Sequence, residues 1–153
     1  HSDMENLFDT VSADIKKAML ARDAVRLESL RGIKKEFLEA KTAKGSDGTL
    51  SDDRAIQILS KMVKQRRESA EIYTQQNRPE LAEAELAQAA VIEEYMPKQL
   101  TPGELDAALR EIIARVGATS PKEMGKVMGV ASKELAGKAE GRAISAAVKA
   151  LLS

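Results

Sequence analysis

Apolar residues recur every three or four positions along most of this chain, and no stretch shows the sustained alternation of β-branched residues that is typical of a half-buried strand. Helix-forming residues dominate throughout. With two Phe, two Tyr and no Trp among 153 residues, a core has to be built from Leu, Ile, Val, Ala and Met. The sequence therefore predicts an all-α fold in which helices pack on helices.

Four amphipathic segments joined by short loops precede Pro97. Asp23 and Ser51 stand where helix N-caps are needed, and Pro79 stands where a first helical turn begins. The predicted helices cover approximately residues 4–22, 23–41, 51–75 and 79–96. Helices joined this closely predict a four-helix bundle-like N-terminal domain over residues 4–97. The residues predicted to face its core include Met19, Leu38 and Leu86.

A second domain is predicted after a boundary at residues 96–100. Thr101 and Ser120 each begin a capping box, in which Ser or Thr is followed three residues later by Glu, and in both cases Pro occupies the first helical position. Three short helices are predicted, over approximately residues 102–116, 121–135 and 142–152. They predict a small three-helix C-terminal domain over residues 98–153.

Few residues in the chain are suited to catalysis. There is no Cys, and the only His is His1, within residues 1–3, which precede Met4 and resemble a cloning remnant. Thiol and imidazole nucleophiles, disulfides and zinc–thiolate sites are therefore not expected. The adjacent carboxylates at 52–53 and 93–94 diverge by about 100° on a helix, and no phosphate loop or dinucleotide fingerprint is present. From the residues alone we predict no catalytic residue, no metal and no cofactor.

The sequence also lacks membrane and secretion signals. No apolar run approaches the roughly 20 residues that a membrane span needs, and the N-terminus lacks the basic-then-apolar order of a signal peptide. The absence of Cys fits a reducing compartment. These features predict a cytoplasmic protein with no membrane partner, and they leave its oligomeric state open.

The net charge of zero hides an asymmetry between the two parts of the chain. Residues 1–97 carry 15 Lys and Arg against 18 Asp and Glu, whereas residues 98–153 carry 9 against 6. This balance argues against a strongly basic, histone-like binder of nucleic acid, but it gives the second part a modest basic surface. The predicted phosphate-contacting residues are Lys122, Lys126, Lys133, Lys138 and Arg142. A second basic group is interpreted as the solvated side of the third helix: Lys61, Lys64, Arg66 and Arg67.

Glycines lie among the C-terminal lysines, and two interpretations of them are open. Gly125 and Gly129 are four residues apart, hence on one side of a helix, and Gly141 immediately precedes the last predicted helix. In the first interpretation they let a neighbouring helix pack closely. In the second they let an RNA backbone approach the main chain while the lysines contact phosphates. Because aromatic residues are not interleaved here, folded RNA recognised by shape and phosphates is the expected ligand.

Several linked motifs resemble the YqeY-like proteins and the GatB/YqeY domain. In order along the chain they are residues 63–69 (VKQRRES), 92–100 (IEEYMPKQL) followed by Glu104-Leu105, 124–129 (MGKVMG) and 137–142 (GKAEGR). The resemblance covers essentially the whole chain from Met4 onward. It departs from the family pattern at Glu140, where Asp is usual, and at Ser145, where Asn is usual.

The resemblance implies an all-helical, two-domain protein of bacterial type. Its C-terminal domain is similar to the tail of the B subunit of the tRNA-dependent amidotransferase, a tail that helps to hold tRNA while other parts of that enzyme carry out catalysis. The expected function is therefore a non-catalytic module that binds tRNA or a tRNA-handling protein. Two alternatives remain: a glutamine-dependent carbon–nitrogen ligase activity, which the resemblance implies by analogy, and a protein–protein adaptor that uses the N-terminal helices.

Overall fold

A computed structural model describes residues 6–153, and this part of the chain is all-helical, as predicted, with no strand. Seven α-helices are present, together with a 3₁₀ turn at Pro121–Glu123. The helices are α1 Leu7–Ala21, α2 Ala24–Thr42, α3 Asp52–Gln75, α4 Pro79–Glu93, α5 Pro102–Val116, α6 Met124–Glu134 and α7 Gly141–Leu152. Their contacts divide the chain into a first unit that ends at Met96 and a second unit, Pro97–Ser153.

Local capping interactions explain where the helices begin. Asp23 Oδ1 accepts a hydrogen bond from Arg26 N (3.1 Å), and Ser51 Oγ accepts one from Arg54 N (3.1 Å). Thr101 and Glu104 form a complete capping box, because Glu104 N donates to Thr101 Oγ1 (3.1 Å) and Thr101 N donates to Glu104 Oε1 (2.9 Å). These bonds satisfy N–H groups that have no partner within the helix. At Asp23, Ser51 and Thr101, three of the four positions predicted to cap a helix, the caps are therefore present.

Three helix ends differ from the prediction. Helix α1 begins at Leu7, after the N-cap Asn6, whose Oδ1 accepts a hydrogen bond from Asp9 N (2.9 Å). Met4 and Glu5, where the predicted helix began, lie outside the described residues.

Helix α4 ends at Glu93 rather than Met96. The backbone N–H groups of Glu94, Tyr95 and Met96 donate to the carbonyl oxygens three residues earlier, which forms a tighter turn than an α-helix. The sixth helix begins with the 3₁₀ turn Pro121–Glu123 before it continues as α6. Helix ends commonly tighten in this way, since such bonds satisfy otherwise unpaired backbone groups.

The core of the first unit combines large aliphatic side chains with one phenylalanine. Leu30, Ile33 and Phe37 of α2 are completely buried, and Leu59 of α3 and Ile92 of α4 pack with them. Ser29 is also completely buried, and its hydroxyl donates to the Val25 carbonyl oxygen (2.8 Å). This bond removes the cost of burying an unpaired hydroxyl.

Three predicted core residues are instead exposed: Met19 (52%), Leu38 (43%) and Leu86 (48%). Successive helix residues diverge by about 100°, so Ala18 and Phe37 face the core while their neighbours Met19 and Leu38 do not. On α4, Ala82, Ala89 and Ile92 make the buried face, and Leu86 lies at its margin. The apolar stripe on each of these helices is thus wider than the part of the helix that neighbouring helices of the first unit bury.

The last residue of α4 and the two residues after it bond to the earlier helices of the first unit. Glu94 Oε2 accepts from Arg26 (2.8 Å), and Glu93 Oε2 accepts from Arg67. The Tyr95 hydroxyl donates to Asp14 Oδ2 (2.6 Å), and partial burial together with this bond raises the pKa of Tyr95 above its ordinary value. The two carboxylates at 93–94 diverge as predicted, and each has a different arginine as its partner.

In the second unit, α5, α6 and α7 surround a separate aliphatic core. Its completely or nearly completely buried members are Leu109 and Ile112 of α5, Val127 and Ala131 of α6, and Ile144 and Val148 of α7. Gly117 ends α5 at a φ of 73°, a left-handed conformation that glycine adopts without strain. Within residues 6–153, none of the helices combines the length and apolar character that a bilayer span requires.

Candidate nucleic-acid interface

Helix α6 has one buried side and one open side. Val127 and Ala131 face the core of the second unit. On a helix with 3.6 residues per turn, Lys126 and Lys133 then lie on the opposite side, with Gly125 and Gly129 beside them. All four are exposed. The open side of α6 therefore presents two cations next to a strip of main chain without side chains.

The three glycines among the C-terminal lysines do not serve helix packing. A methyl group placed at Gly125, Gly129 or Gly141 would meet no atom within 4 Å, other than those of its own helix and chain neighbours. Of the two interpretations of these glycines, close packing by a neighbouring helix is therefore wrong for the described part of the chain. What they provide is access to the main chain from solvent.

The other predicted basic residues lie around α6. Lys122 belongs to the 3₁₀ turn that leads into α6, Lys138 to the turn after it, and Arg142 to the first turn of α7. Each of them is exposed. The structure thus brings Lys126 and Lys133 to the same side of one helix, whereas Lys122, Lys138 and Arg142 come from the flanking segments.

Nearby carboxylates are occupied by structural partners. Glu134 and Glu111 both bind the Arg115 guanidinium, which lowers the pKa of Glu134 and raises that of Arg115. Glu123 accepts hydrogen bonds from Thr119 N (2.6 Å) and Ser120 N (3.2 Å), and these bonds lower its pKa.

The predicted cations, by contrast, make no salt bridge within residues 6–153. These cations are Lys122, Lys126, Lys133, Lys138 and Arg142. Hydrogen bonds from Thr119 and Ser120 lower the pKa of Glu123, and the nearby charge of Lys126 adds to this lowering. Because none of the five cations forms a salt bridge in the described part of the chain, they remain available to an anionic ligand.

Gln99, which the sequence pattern did not single out, shapes the turn before α7. The Gln99 side chain donates from Nε2 to the Gly137 carbonyl oxygen, and Leu100 N donates to the Lys138 carbonyl oxygen (2.9 Å). Gly137 has a φ of 75°, which favours glycine at this turn. The bonds from residues 99 and 100 therefore hold the turn that carries Lys138. The only feature of the sequence that pointed to these bonds is the position of Gln99 within the motif at residues 92–100.

The second basic group is divided by the fold. Arg66 Nε donates to Gln88 Oε1 (2.9 Å), and Arg67 pairs with Glu93, so both arginines connect α3 to α4. Lys61 and Lys64 are exposed on α3, as expected for a solvated side. Among residues 6–153, no cluster of three or more His, Cys, Asp or Glu is arranged to hold a metal ion.

The open glycines allow a test that separates stability from binding. Replacing Gly125 and Gly129 together by Gln is expected to stabilise α6, by about 0.5–1 kcal/mol per site, because glycine is a poor helix former and the new side chains meet no neighbour. The same variant is expected to bind RNA more weakly, because the side chains cover the main chain. Thermal unfolding and an RNA titration measure the two effects. A Gly103→Gln variant, at another exposed helical glycine with open space around it, is the control, and equal RNA affinity of all three proteins would contradict the expectation.

The fold and this surface define a class: an all-helical protein of two units, the second of which carries an exposed basic helix lined with glycine. Comparison with known proteins then identifies the family. Residues 8–152 match the family described as Yqey-like protein, and the chain therefore belongs to that family.

Curated relatives come from yeasts. The chain is 32% identical to a protein of Meyerozyma guilliermondii over 126 residues, which is 80% of this chain and 65% of the relative. It is 28% identical to a protein of Lachancea thermotolerans over 114 residues, which is 71% of this chain and 58% of the relative. Both relatives are named altered inheritance of mitochondria protein 41, mitochondrial. The chain thus spans roughly three fifths of the length of these two relatives.

The expected cytoplasmic location was wrong, because the yeast relatives are named as mitochondrial proteins. The features behind that expectation were the lack of Cys and of a long apolar run, and these features suit any reducing aqueous compartment equally well. Sorting to an organelle depends on targeting segments that are separate from the fold. These relatives also do not support the expected bacterial type.

Proposed function

We propose that the second unit, Pro97–Ser153, binds the sugar–phosphate backbone of folded RNA, and that transfer RNA is its ligand. The observation that carries this proposal is the open side of α6, where Lys126 and Lys133 flank main chain that Gly125 and Gly129 leave uncovered. An ammonium group attracts phosphate without regard to base sequence, and an uncovered main chain lets the ribose–phosphate chain come close.

The composition of the unit favours folded RNA over single strands. Residues 97–153 contain no Phe, Tyr or Trp, so the unit offers no aromatic platform on which unpaired bases can stack. Double-helical RNA is recognised chiefly through its shape, its phosphates and its 2′-hydroxyls. A rigid helix with exposed cations, held in place by the buried Val127 and Ala131, suits that mode of recognition.

Transfer RNA is proposed over other folded RNAs because the motifs at residues 124–129 and 137–142 resemble those of the amidotransferase B-subunit tail. In this proposal the chain holds tRNA for an enzyme of that kind and performs no step of its own chemistry. Glu104, Glu111, Glu123 and Glu134 of the second unit are already occupied by caps or by Arg115. Transfer of the glutamine amide nitrogen to misacylated tRNA by the purified protein alone would contradict this part of the proposal.

The salt dependence of tRNA binding tests the proposal directly. The full chain is titrated against unmodified tRNA by fluorescence anisotropy at several salt concentrations. Contacts to three to five phosphates predict a log–log slope of about −2 to −4, at roughly 0.7–0.9 per phosphate. A single-stranded homopolymer of equal length is expected to bind more weakly. Absence of tRNA binding at low salt, or a slope near zero, would contradict the proposal.

A further inference from the structure

Two residues near the start of the second unit bond to the turn between α6 and α7. The Gln99 side chain donates from Nε2 to the Gly137 carbonyl oxygen, and Leu100 N donates to the Lys138 carbonyl oxygen (2.9 Å). Each bond joins residues that are 38 positions apart in the chain. Consecutive residues of one segment therefore hold consecutive carbonyl groups of one turn.

The Gln99 amide is a bridge between two main-chain segments. Its Nε2 donates to the Pro97 carbonyl oxygen (3.2 Å) as well as to the Gly137 carbonyl oxygen, so each of its two N–H groups has an acceptor. The side chain carries no charge, and both acceptors belong to the protein itself. Its contribution is therefore to the conformation of the turn, and that contribution needs no contact with a ligand.

The turn that receives these bonds has a flexible residue within it. Lys138 N donates to the Leu135 carbonyl oxygen (2.9 Å), which closes the turn, and Gly137 has a φ of 75°. Glycine reaches many other backbone conformations at little cost. Bonds from outside the turn therefore determine how firmly the main chain of Lys138 is held in the conformation that the structure shows.

Lys138 is the cation that this turn carries. It is exposed, and it makes no salt bridge in the described part of the chain. A lysine whose main chain has to become ordered on binding loses affinity to conformational entropy, whereas a main chain that is already fixed reduces this cost. The bonds from residues 99 and 100 therefore prepare Lys138 for an anionic ligand.

From these contacts we infer that Gln99 is a positioning residue for RNA binding. It fixes the main chain at residues 137–138 and thereby holds Lys138 where its ammonium group meets a phosphate of the ligand. The inference rests on the proposed function of the second unit, and it adds a residue that has neither a charge nor a contact with RNA. Because coupling between two binding events is reciprocal, bound RNA is expected to stabilise the bond between Leu100 and Lys138 in turn.

A neutral substitution tests this role. Methionine matches glutamine in length and has no N–H donor, so Gln99→Met removes the bridge and leaves the net charge unchanged. In the tRNA titration across salt, this variant is expected to bind about threefold more weakly. The magnitude of its log–log slope is expected to fall by up to roughly 0.7–0.9, the contribution of one phosphate contact. Gln65→Met, the same change at an exposed position on α3, is the control and is expected to bind as the wild type does.

A double-mutant cycle separates the positioning of Lys138 from a general loss of structure. Removal of the bridge is expected to have no further effect in a Lys138→Met background, because the side chain that Gln99 positions is gone. In a Lys126→Met background the effect of Gln99→Met is expected to persist. A role that is only structural would weaken binding equally in both backgrounds.

Hydrogen exchange in the wild-type chain supplies a measurement that needs no variant. Saturating tRNA is expected to slow exchange of the Leu100 N–H by about threefold, because RNA that binds the fixed turn better than the open turn shifts the equilibrium toward the fixed one. The control is the Arg78 N–H, which donates to the Tyr73 carbonyl oxygen (2.8 Å) in the turn between α3 and α4. Its exchange rate is expected to be unchanged.

Failure of this role and failure of the proposed function give different results. A wild-type protein that does not bind tRNA would overturn both. Binding by the wild type, together with an unchanged salt slope in Gln99→Met or an unchanged exchange rate of the Leu100 N–H, would overturn the positioning role alone. So would an effect of Gln99→Met that persists in the Lys138→Met background.

Discussion

Replacing Leu30 by Ala is expected to lower the free energy of unfolding of the first unit by about 2–5 kcal/mol. Leu30 is completely buried, and it packs in the cluster that contains Ile33, Phe37 and Leu59. Truncation removes buried methyl groups and leaves a cavity that the surrounding helices fill only in part. Because marginal stability is typical of proteins of this size, such a loss is a large share of the total.

The matched control is Leu20→Ala, since Leu20 is 86% exposed on α1. The same chemical change there is expected to cost within about 0.5 kcal/mol. Urea denaturation followed by tyrosine fluorescence measures the first unit selectively, because Tyr73 and Tyr95 are the two tyrosines of the chain and both precede residue 97. Equal losses for the two variants would mean that the described core does not hold this unit together.

Reversing two charges on the open side of α6 is expected to have the largest effect on RNA binding. The double variant Lys126→Glu, Lys133→Glu is expected to lower tRNA affinity by about 10- to 100-fold at low salt. It is also expected to reduce the magnitude of the log–log salt slope by about 2, because two phosphate contacts are lost and repulsion replaces them. Both side chains are exposed and make no salt bridge in residues 6–153, so the fold is expected to be retained.

The matched control is the double variant Lys61→Glu, Lys64→Glu, which makes the same change in net charge on the exposed side of α3. Its tRNA affinity at the same salt concentration is expected to stay within about threefold of the wild type, because the proposed phosphate contacts lie in the second unit and these two lysines belong to the first. An equal loss in the two double variants would mean that net charge alone governs binding. An unchanged affinity in the α6 variant would rule out α6 as the contact.

The sequence by itself determined the helical class and most helix ends. Asp23, Ser51 and Thr101 were recognisable as caps because a cap bonds to backbone groups two or three residues away. An all-α fold followed from the same kind of local information, namely helix-forming composition and a repeat of three to four residues. Interactions between residues two to four positions apart do not depend on distant parts of the chain.

Only the tertiary structure decided which apolar and basic side chains are covered. Met19, Leu38 and Leu86 fit the periodic stripes but are exposed, because burial depends on which neighbouring helix lies against each face. Arg66 and Lys64 are similar cations in one short segment, yet Arg66 meets Gln88 on α4 while Lys64 points to solvent. The glycines of α6 were equally ambiguous, since packing and ligand approach require the same absence of a side chain. Their open surroundings exclude close packing by a neighbouring helix, and that outcome depends on atoms far away in the sequence.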